Sequence, residues 1–480
     1  MSNSSFLGLI IARFDGDKLI YSDYRKYIEK LTYEGIGGFI VFGGDYETVK
    51  EFIFYLQSIA KNPLIIASDI EKGVGQQIRG ATIIPCQMGI AAGFSLIHNK
   101  QELERIYSVV VNEAKDIGIN LALMPVLDVN TEPRNPIICT RAFSDDPEVV
   151  SDYGKFVIKF FESNGVATCG KHFPGHGSTC EDSHLTLPRV CGDLKPHIKP
   201  FQEATVAGIS SIMVGHLSVF SSILKPATLS KKVITTMLKN KLGFNGVVVS
   251  DAMSMKAVFN FNNPYVMALK AGVDLILHPE DPYIALEEIK KAYRDGIIND
   301  KRIKQANERV DKLRERLKGN KNVIRQPIPF KAYLEFFKKT VTVLKNEIGD
   351  LTSLKFVPYL TGAYTSQIMQ LFSDYFGLAF DLKEYKAGLG IPLMTIFTEI
   401  GFGKRYFITD EEIRKIKDIT SIEKSVVVSF GNPYVVAHFS NAKAIVLVYD
   451  SNELAVLSFL EVFKEGLKTT ARCPVKIFKE

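Results

Sequence analysis

Lys171, His172, Phe173, Pro174, Gly175, His176 and Gly177 are followed closely by Asp182, Ser183 and His184, so three of the eight histidines share one short segment with a lysine and an aspartate. Pro174 removes a helical hydrogen bond, and Gly175 and Gly177 favour tight or left-handed backbone, which makes the segment a loop. Loops on rigid scaffolds carry a disproportionate share of catalysis. Asp182 and His184, one residue apart, are spaced to fold toward each other in a turn, where a carboxylate orients an imidazole and supports its charged form. The chemistry on offer is proton transfer near neutral pH. Other readings stand beside it. Asp182 in an ordinary Asx-turn, Lys171 as a Schiff-base lysine, and His172, His176 and His184 as metal ligands all use the same residues. HFPGH is not a helical HExxH, however, and no cysteine or carboxylate spacing completes a ligand set, so neither a metal nor a cofactor is expected.

Such a loop needs a scaffold. Short apolar runs recur at 7–13, 38–42, 64–68, 121–126, 167–171, 211–215, 246–250 and 274–278, separated by helical segments such as 24–33, 47–60, 100–117, 147–164 and 195–207. Near-continuous apolar strands alternating with helices indicate a parallel sheet. Eight such units predict an α/β fold, a (β/α)8 TIM barrel, within its usual ~250 residues or somewhat more. An open doubly wound sheet would carry a glycine fingerprint after the first strand, and residues 12–17 read ARFDGD instead. Polar residues fall at or just past the strand ends: Asp69, Asp128, Lys171, His172, His216 and Asp251. In a barrel those ends converge on the catalytic face. The barrel is expected over 1–318, a polar, proline-bearing linker over 319–333 and a smaller α/β domain over 334–480, with strands at 355–360, 425–430, 444–449 and 475–478. Residues 175–184, rich in glycine and hydroxyl side chains, are expected to be more mobile than the strands beneath them.

At 480 residues, 46% hydrophobic and 23% charged, the chain has the balance of a globular protein with room for two cores. The net charge of +6 is mild and its lysines and arginines are scattered, so no nucleic-acid partner is expected. No apolar run reaches the ~18 residues of a membrane span. The N-terminal stretch lacks the basic region and apolar core of a signal peptide, which with thinly spread cysteines and no CxxC spacing favours reduced thiols and a cytoplasmic location.

Several segments are matched in order along the chain: SDIEKG at 68–73, LMPVLDVN at 123–130, NPII at 135–138 with RAF at 141–143, KHFPGHG at 171–177, DSHL at 182–185 and VSDAMSM at 249–255, then VTVLKN at 341–346 and VVVSFGNPY at 426–434. With these the sequence resembles glycoside hydrolase family 3, specifically its β-N-acetylhexosaminidase branch. The β-glucosidase branch lacks the histidine loop and takes its acid from a glutamate in the second domain. The resemblance implies a retaining exo-β-N-acetylglucosaminidase acting on a small carbohydrate, with cell-wall muropeptide fragments as the implied substrate. It makes Asp251 the nucleophile and the Asp182–His184 dyad the acid/base. A carboxylate nucleophile and a proton donor are what retaining hydrolysis requires, and an imidazole serves as donor because its pKa straddles neutrality. Asp251 as a helix N-cap is the plainer account of that residue. Lys171, His172, Asp69 and Arg141 are implied to bind hydroxyls of the non-reducing sugar. His216 either borders the pocket or is a satisfied buried histidine. Gln77 occupies the position of a sugar-binding arginine in the family. Either Arg79, two residues later, makes that contact or the contact is changed. A phosphorylase or β-glucosidase of the same family, and a non-catalytic sugar-binding protein, are the alternatives.

Overall fold

The structure, a computed structural model, describes every residue except 1–2, 180–186, 221–222, 318–323, 326–327, 350, 352, 402, 405 and 479–480. Two compact units are present, and their sequence interleaves: the first comprises 1–83, 104–132 and 147–326, the second 84–103, 133–146 and 327–480. The stretch expected as one contiguous barrel domain therefore lends two segments to the other unit.

The first unit is the TIM barrel. Its strands are β1 (Ile10–Asp15), β2 (Gly38–Phe42), β3 (Ile65–Ser68), β4 (Leu121–Ala122), β5 (Ala167–Phe173), β6 (Ser211–Val214), β7 (Val247–Ser250) and β8 (Ile276–Leu277). They pair in parallel in the order β8-β1-β2-β3-β4-β5-β6-β7. A parallel bridge between Val249 and Leu275 joins the two ends of that order. β3, β6 and β7 are buried at every residue, which is why they read as unbroken apolar runs rather than alternating ones. Each fully buried Ile, Val or Leu contributes ~1.5–3 kcal/mol relative to exposure. Polar residues at the strand ends sit above this core, where they cost little of it. A short hairpin, Ser218–Phe220 with Ile223–Pro226, follows β6 and was not expected from the sequence.

The second unit is built on a six-stranded sheet: β9 (Thr342–Asn346), β10 (Phe356–Gly362), β11 (Phe380–Asp381), β12 (Ile391–Phe397), β13 (Val426–Phe430) and β14 (Ala444–Val448). The spatial order is β9-β14-β13-β12-β10-β11, with only β9 antiparallel to its neighbour. Cys86, Met88, Ala92 and Cys139, from the interleaved segments, join Val357, Met394, Val427 and Ile445 in its core. Residues 475–478, expected as a strand, do not form one. Their backbone is engaged by side chains instead: Ser144 Oγ donates to the Pro474 carbonyl and Lys476 N–H donates to Asp145 Oδ2. Helix Phe330–Lys338 begins directly after Pro329 and so occupies the end of the expected linker, whose residues 319–323 and 326–327 lie outside the described ones.

Candidate active site

β5 delivers the chemistry. All seven of its residues are buried, Lys171 and His172 among them. Lys171 Nζ lies 2.6 Å from Asp69 Oδ1 and 2.5 Å from Glu71 Oε1, with its side chain 2% exposed. A buried ammonium survives only when paired, and here two carboxylates from the loop after β3 do so. Both carboxylates engage the amine, so it is placed as a hydrogen-bond donor. His172 is fixed in the same way by another strand tip. Asp128, fully buried beyond β4, accepts from its ring Nδ1 at 2.7 Å and its backbone N–H at 3.2 Å, and from the His176 backbone N–H at 2.6 Å. Burial alone would raise the Asp128 pKa. The adjoining histidines and their hydrogen bonds outweigh burial and hold it below the usual carboxylate value.

The described start of the loop, 175–179, is packed and hydrogen-bonded. Residues 175–179 are buried, Gly175 N–H closes a turn onto the His172 carbonyl at 2.8 Å, and Thr179 Oγ1 lies 2.8 Å from His176 Nδ1. Gly175 has φ +125, and a Cβ on Gly177 would lie 1.9 Å from the Val129 carbonyl oxygen, so only glycine fits either position. His176 is pushed down to about 4 by burial and then by neighbouring His172, so it is neutral at pH 7 and positions the loop. Asp182 and His184 lie outside the described residues.

Asp251 stands at the tip of β7, half-buried, its N–H donating to the Val214 carbonyl and its Oδ1 accepting from Ala252 N–H at 2.8 Å. Its charge acts on His176 and, together with those of Lys171 and Asp69, on the Cys169 thiol, which burial pushes up to about 12. Asp69, Lys171, His172 and Asp251 thus stand at the C-terminal ends of the alternate strands β3, β5 and β7 of one barrel. His216 is fully buried beyond β6, with Nε2 3.0 Å from the Ala252 carbonyl and Nδ1 2.9 Å from Thr228 Oγ1. It steadies the peptide that follows Asp251. Arg79 is exposed, its guanidinium held by Asp45 at 3.1 and 3.2 Å and by Asp17 at 2.6 Å, carboxylates from the loops after β2 and β1. Arg141 belongs to segment 133–146 of the second unit, where Nη1 donates to the Ile137 carbonyl at 3.0 Å.

Glu71 and Asp128 are the partners that sequence reasoning gave no binding or catalytic role. Glu71 lies two residues beyond Asp69, which is the one sequence signal that a second carboxylate faces the lysine. Among the described residues no group of three or more His, Cys, Asp or Glu could hold a metal ion, and no helix is long and apolar enough to cross a membrane. The site offers a partly exposed carboxylate beside a fixed cation and a fixed imidazole, an arrangement able to attack an electrophilic carbon while binding hydroxyl groups.

The chain is similar to known proteins in both sequence and fold. Residues 15–313 match the model described as glycosyl hydrolase family 3 N terminal domain. The chain is 32% identical over 330 residues to a beta-hexosaminidase A of Pseudoalteromonas piscicida, covering 60% of this chain and only 55% of that relative's length. It is 32% identical over 298 residues to a beta-hexosaminidase of Thioalkalivibrio sulfidiphilus, covering 59% of this chain and 84% of the relative. Among solved structures, a glycoside hydrolase family 3 beta-N-acetylglucosaminidase from Paenibacillus sp. str. FPU-7 shares the fold over 100% of this chain and 99% of that one, with TM-score 0.84 and 24% identity. A beta-glucoside phosphorylase does so over 99% and 94%, with TM-score 0.85 and 19% identity. Because the family match runs over residues 15–313, more than half of the chain, the chain belongs to glycosyl hydrolase family 3.

Proposed function

We propose that this protein is a retaining exo-β-N-acetylglucosaminidase. Asp251 attacks the anomeric carbon, the glycosidic C–O bond breaks, and the leaving oxygen takes a proton from His184, oriented by Asp182. The His184 imidazole then deprotonates a water that displaces Asp251 and releases the sugar. Lys171, His172 and Asp69 hold the hydroxyls of the bound sugar, with Arg79 and Arg141 as further contacts. The observation that carries this reading is a half-buried Asp251 at the β7 tip whose charge reaches the Cys169 thiol together with those of Lys171 and Asp69, the lysine itself paired with Asp69 and Glu71. Relatives named as beta-hexosaminidases support the substrate class. Muropeptide fragments are the substrate that fits the sequence resemblance, and a cytoplasmic compartment is the one that fits the thinly spread cysteines.

Hydrolysis of an aryl β-N-acetylglucosaminide without turnover of the corresponding β-glucoside is the expected result, and the reverse preference sinks the substrate assignment. Asp251→Asn should lose more than a thousandfold in turnover, as loss of a covalent nucleophile does, while still binding N-acetylglucosamine. Unchanged turnover removes Asp251 from the mechanism. The same assay with inorganic phosphate addresses the phosphorylase alternative, which requires accelerated formation of sugar 1-phosphate.

A further inference from the structure

His278 directly follows β8 and has no role in the mechanism above. Its φ is +45, the left-handed region that costs a non-glycine residue roughly 1 kcal/mol or more. Glycine would take that conformation without cost, so the backbone alone gives no reason for an imidazole there. The surrounding bonds nevertheless fix the residue firmly. Its N–H donates to the Ile11 carbonyl of β1 at 2.7 Å, and its carbonyl accepts from Ser254 N–H at 3.1 Å. The ring packs against Phe42 of β2 with centroids 6.0 Å apart, and the Arg13 guanidinium of β1 lies 4.8 Å from the centre of the same Phe42 ring.

The ring's two nitrogens are placed differently. Nδ1 lies 3.4 Å from Ser254 Oγ, three residues beyond Asp251. Among the described residues the Ser254 hydroxyl has no other acceptor, so it donates to Nδ1 and the ring proton resides on Nε2. Burial, and then the Arg13 charge, push the ring pKa down to about 4, opposed by Asp69, so the ring is neutral at pH 7. Nε2–H is then a donor with no protein partner among the described residues, at a strand tip within the field of Asp69.

We propose that His278 is a substrate-contacting residue, whose Nε2–H donates a hydrogen bond to a hydroxyl oxygen of the glycosyl unit bound beside Asp69. The inference rests on the proposed glycosidase reading and adds a specificity contact from a strand tip that the resemblance leaves unused. His278→Gly tests it without risking the fold, because glycine relieves the backbone strain. The variant should melt close to the wild type, yet lose about tenfold in kcat/KM on an aryl β-N-acetylglucosaminide, chiefly through KM, as expected for one lost hydrogen bond. His278→Asn, which tolerates the left-handed region and keeps an N–H donor, should recover part of the loss. A kcat/KM for His278→Gly within twofold of wild type overturns the assignment. So does a Ser254→Ala variant that reproduces the whole loss in kcat, since the ring would then act only through the Asp251 loop. Wild-type preference for a β-glucoside sinks the proposed substrate, while the same variant ratio measured on that glucoside still decides the role of His278.

Discussion

A lysine held between Asp69 and Glu71, and an imidazole whose Nδ1 is held by Asp128, are fixed groups rather than adjustable ones. Residue types and spacing made Lys171, His172 and Asp251 legible, because each sits at the end of an apolar run. Their partners were less so: Glu71 and Asp128 act through contacts between strands, which no local pattern encodes. His176 carries a consequence for stability. Its pKa falls from 6.5 to about 4 on folding, so between those values the unfolded chain binds the proton more readily than the native one. This contribution is fully present above pH ~6.5 and declines as pH falls toward ~4, amounting to about 3 kcal/mol at one pKa unit per 1.36 kcal/mol. His278, lowered for the same first reason, adds to the decline in the same window. Urea unfolding of the wild type and His176→Gln at pH 7.5 and 4.5 measures it. The variant should lose less stability over that interval, and parallel declines would mean that His176 is not the neutral buried ring described.

At the scale of elements, the barrel strands were readable because burial on both faces leaves most of their residues apolar, with polar exceptions such as Arg13 in β1 and Lys171 and His172 in β5. The hairpin at 218–226 was not, since strands of three or four residues give no usable period. The loop after β5 is rich in small and hydroxylated side chains, and its first five residues, 175–179, are buried and tied to Asp128 and His172. His184 follows this anchored turn, and its proposed role as proton donor is testable by leaving group. A poor alkoxide needs a proton in the transition state, whereas a nitrophenolate departs almost unaided. His184→Gly should therefore lose at least a hundredfold more rate on an unactivated disaccharide than on the nitrophenyl glycoside at the glycosylation step. Equal losses would take the acid role away from the Asp182–His184 dyad.

For the whole molecule, the division at a linker near 319 captured only one of several chain crossings. That crossing is polar and proline-bearing, while those near 84, 104, 133 and 147 carry no comparable shift in composition and so left no mark to read. The interleaving has a physical consequence for any attempt to isolate the barrel. Segments 84–103 and 133–146 belong to the second unit, and Met88 and Cys139 are completely buried in the core that includes Val357, Met394 and Val427. A fragment ending at Leu317 keeps those two segments but loses the sheet that covers them. Each large apolar side chain so uncovered forfeits ~1.5–3 kcal/mol of burial, and together they leave an exposed patch of the kind that drives association. Residues 1–317 expressed alone should consequently aggregate or melt without a cooperative transition, while the full chain melts cooperatively. Light scattering and calorimetry of the two proteins distinguish the outcomes. A monomeric fragment with a sharp transition would mean that the interleaved segments fold with the barrel when the second unit is absent, and that the partition into two units does not govern stability.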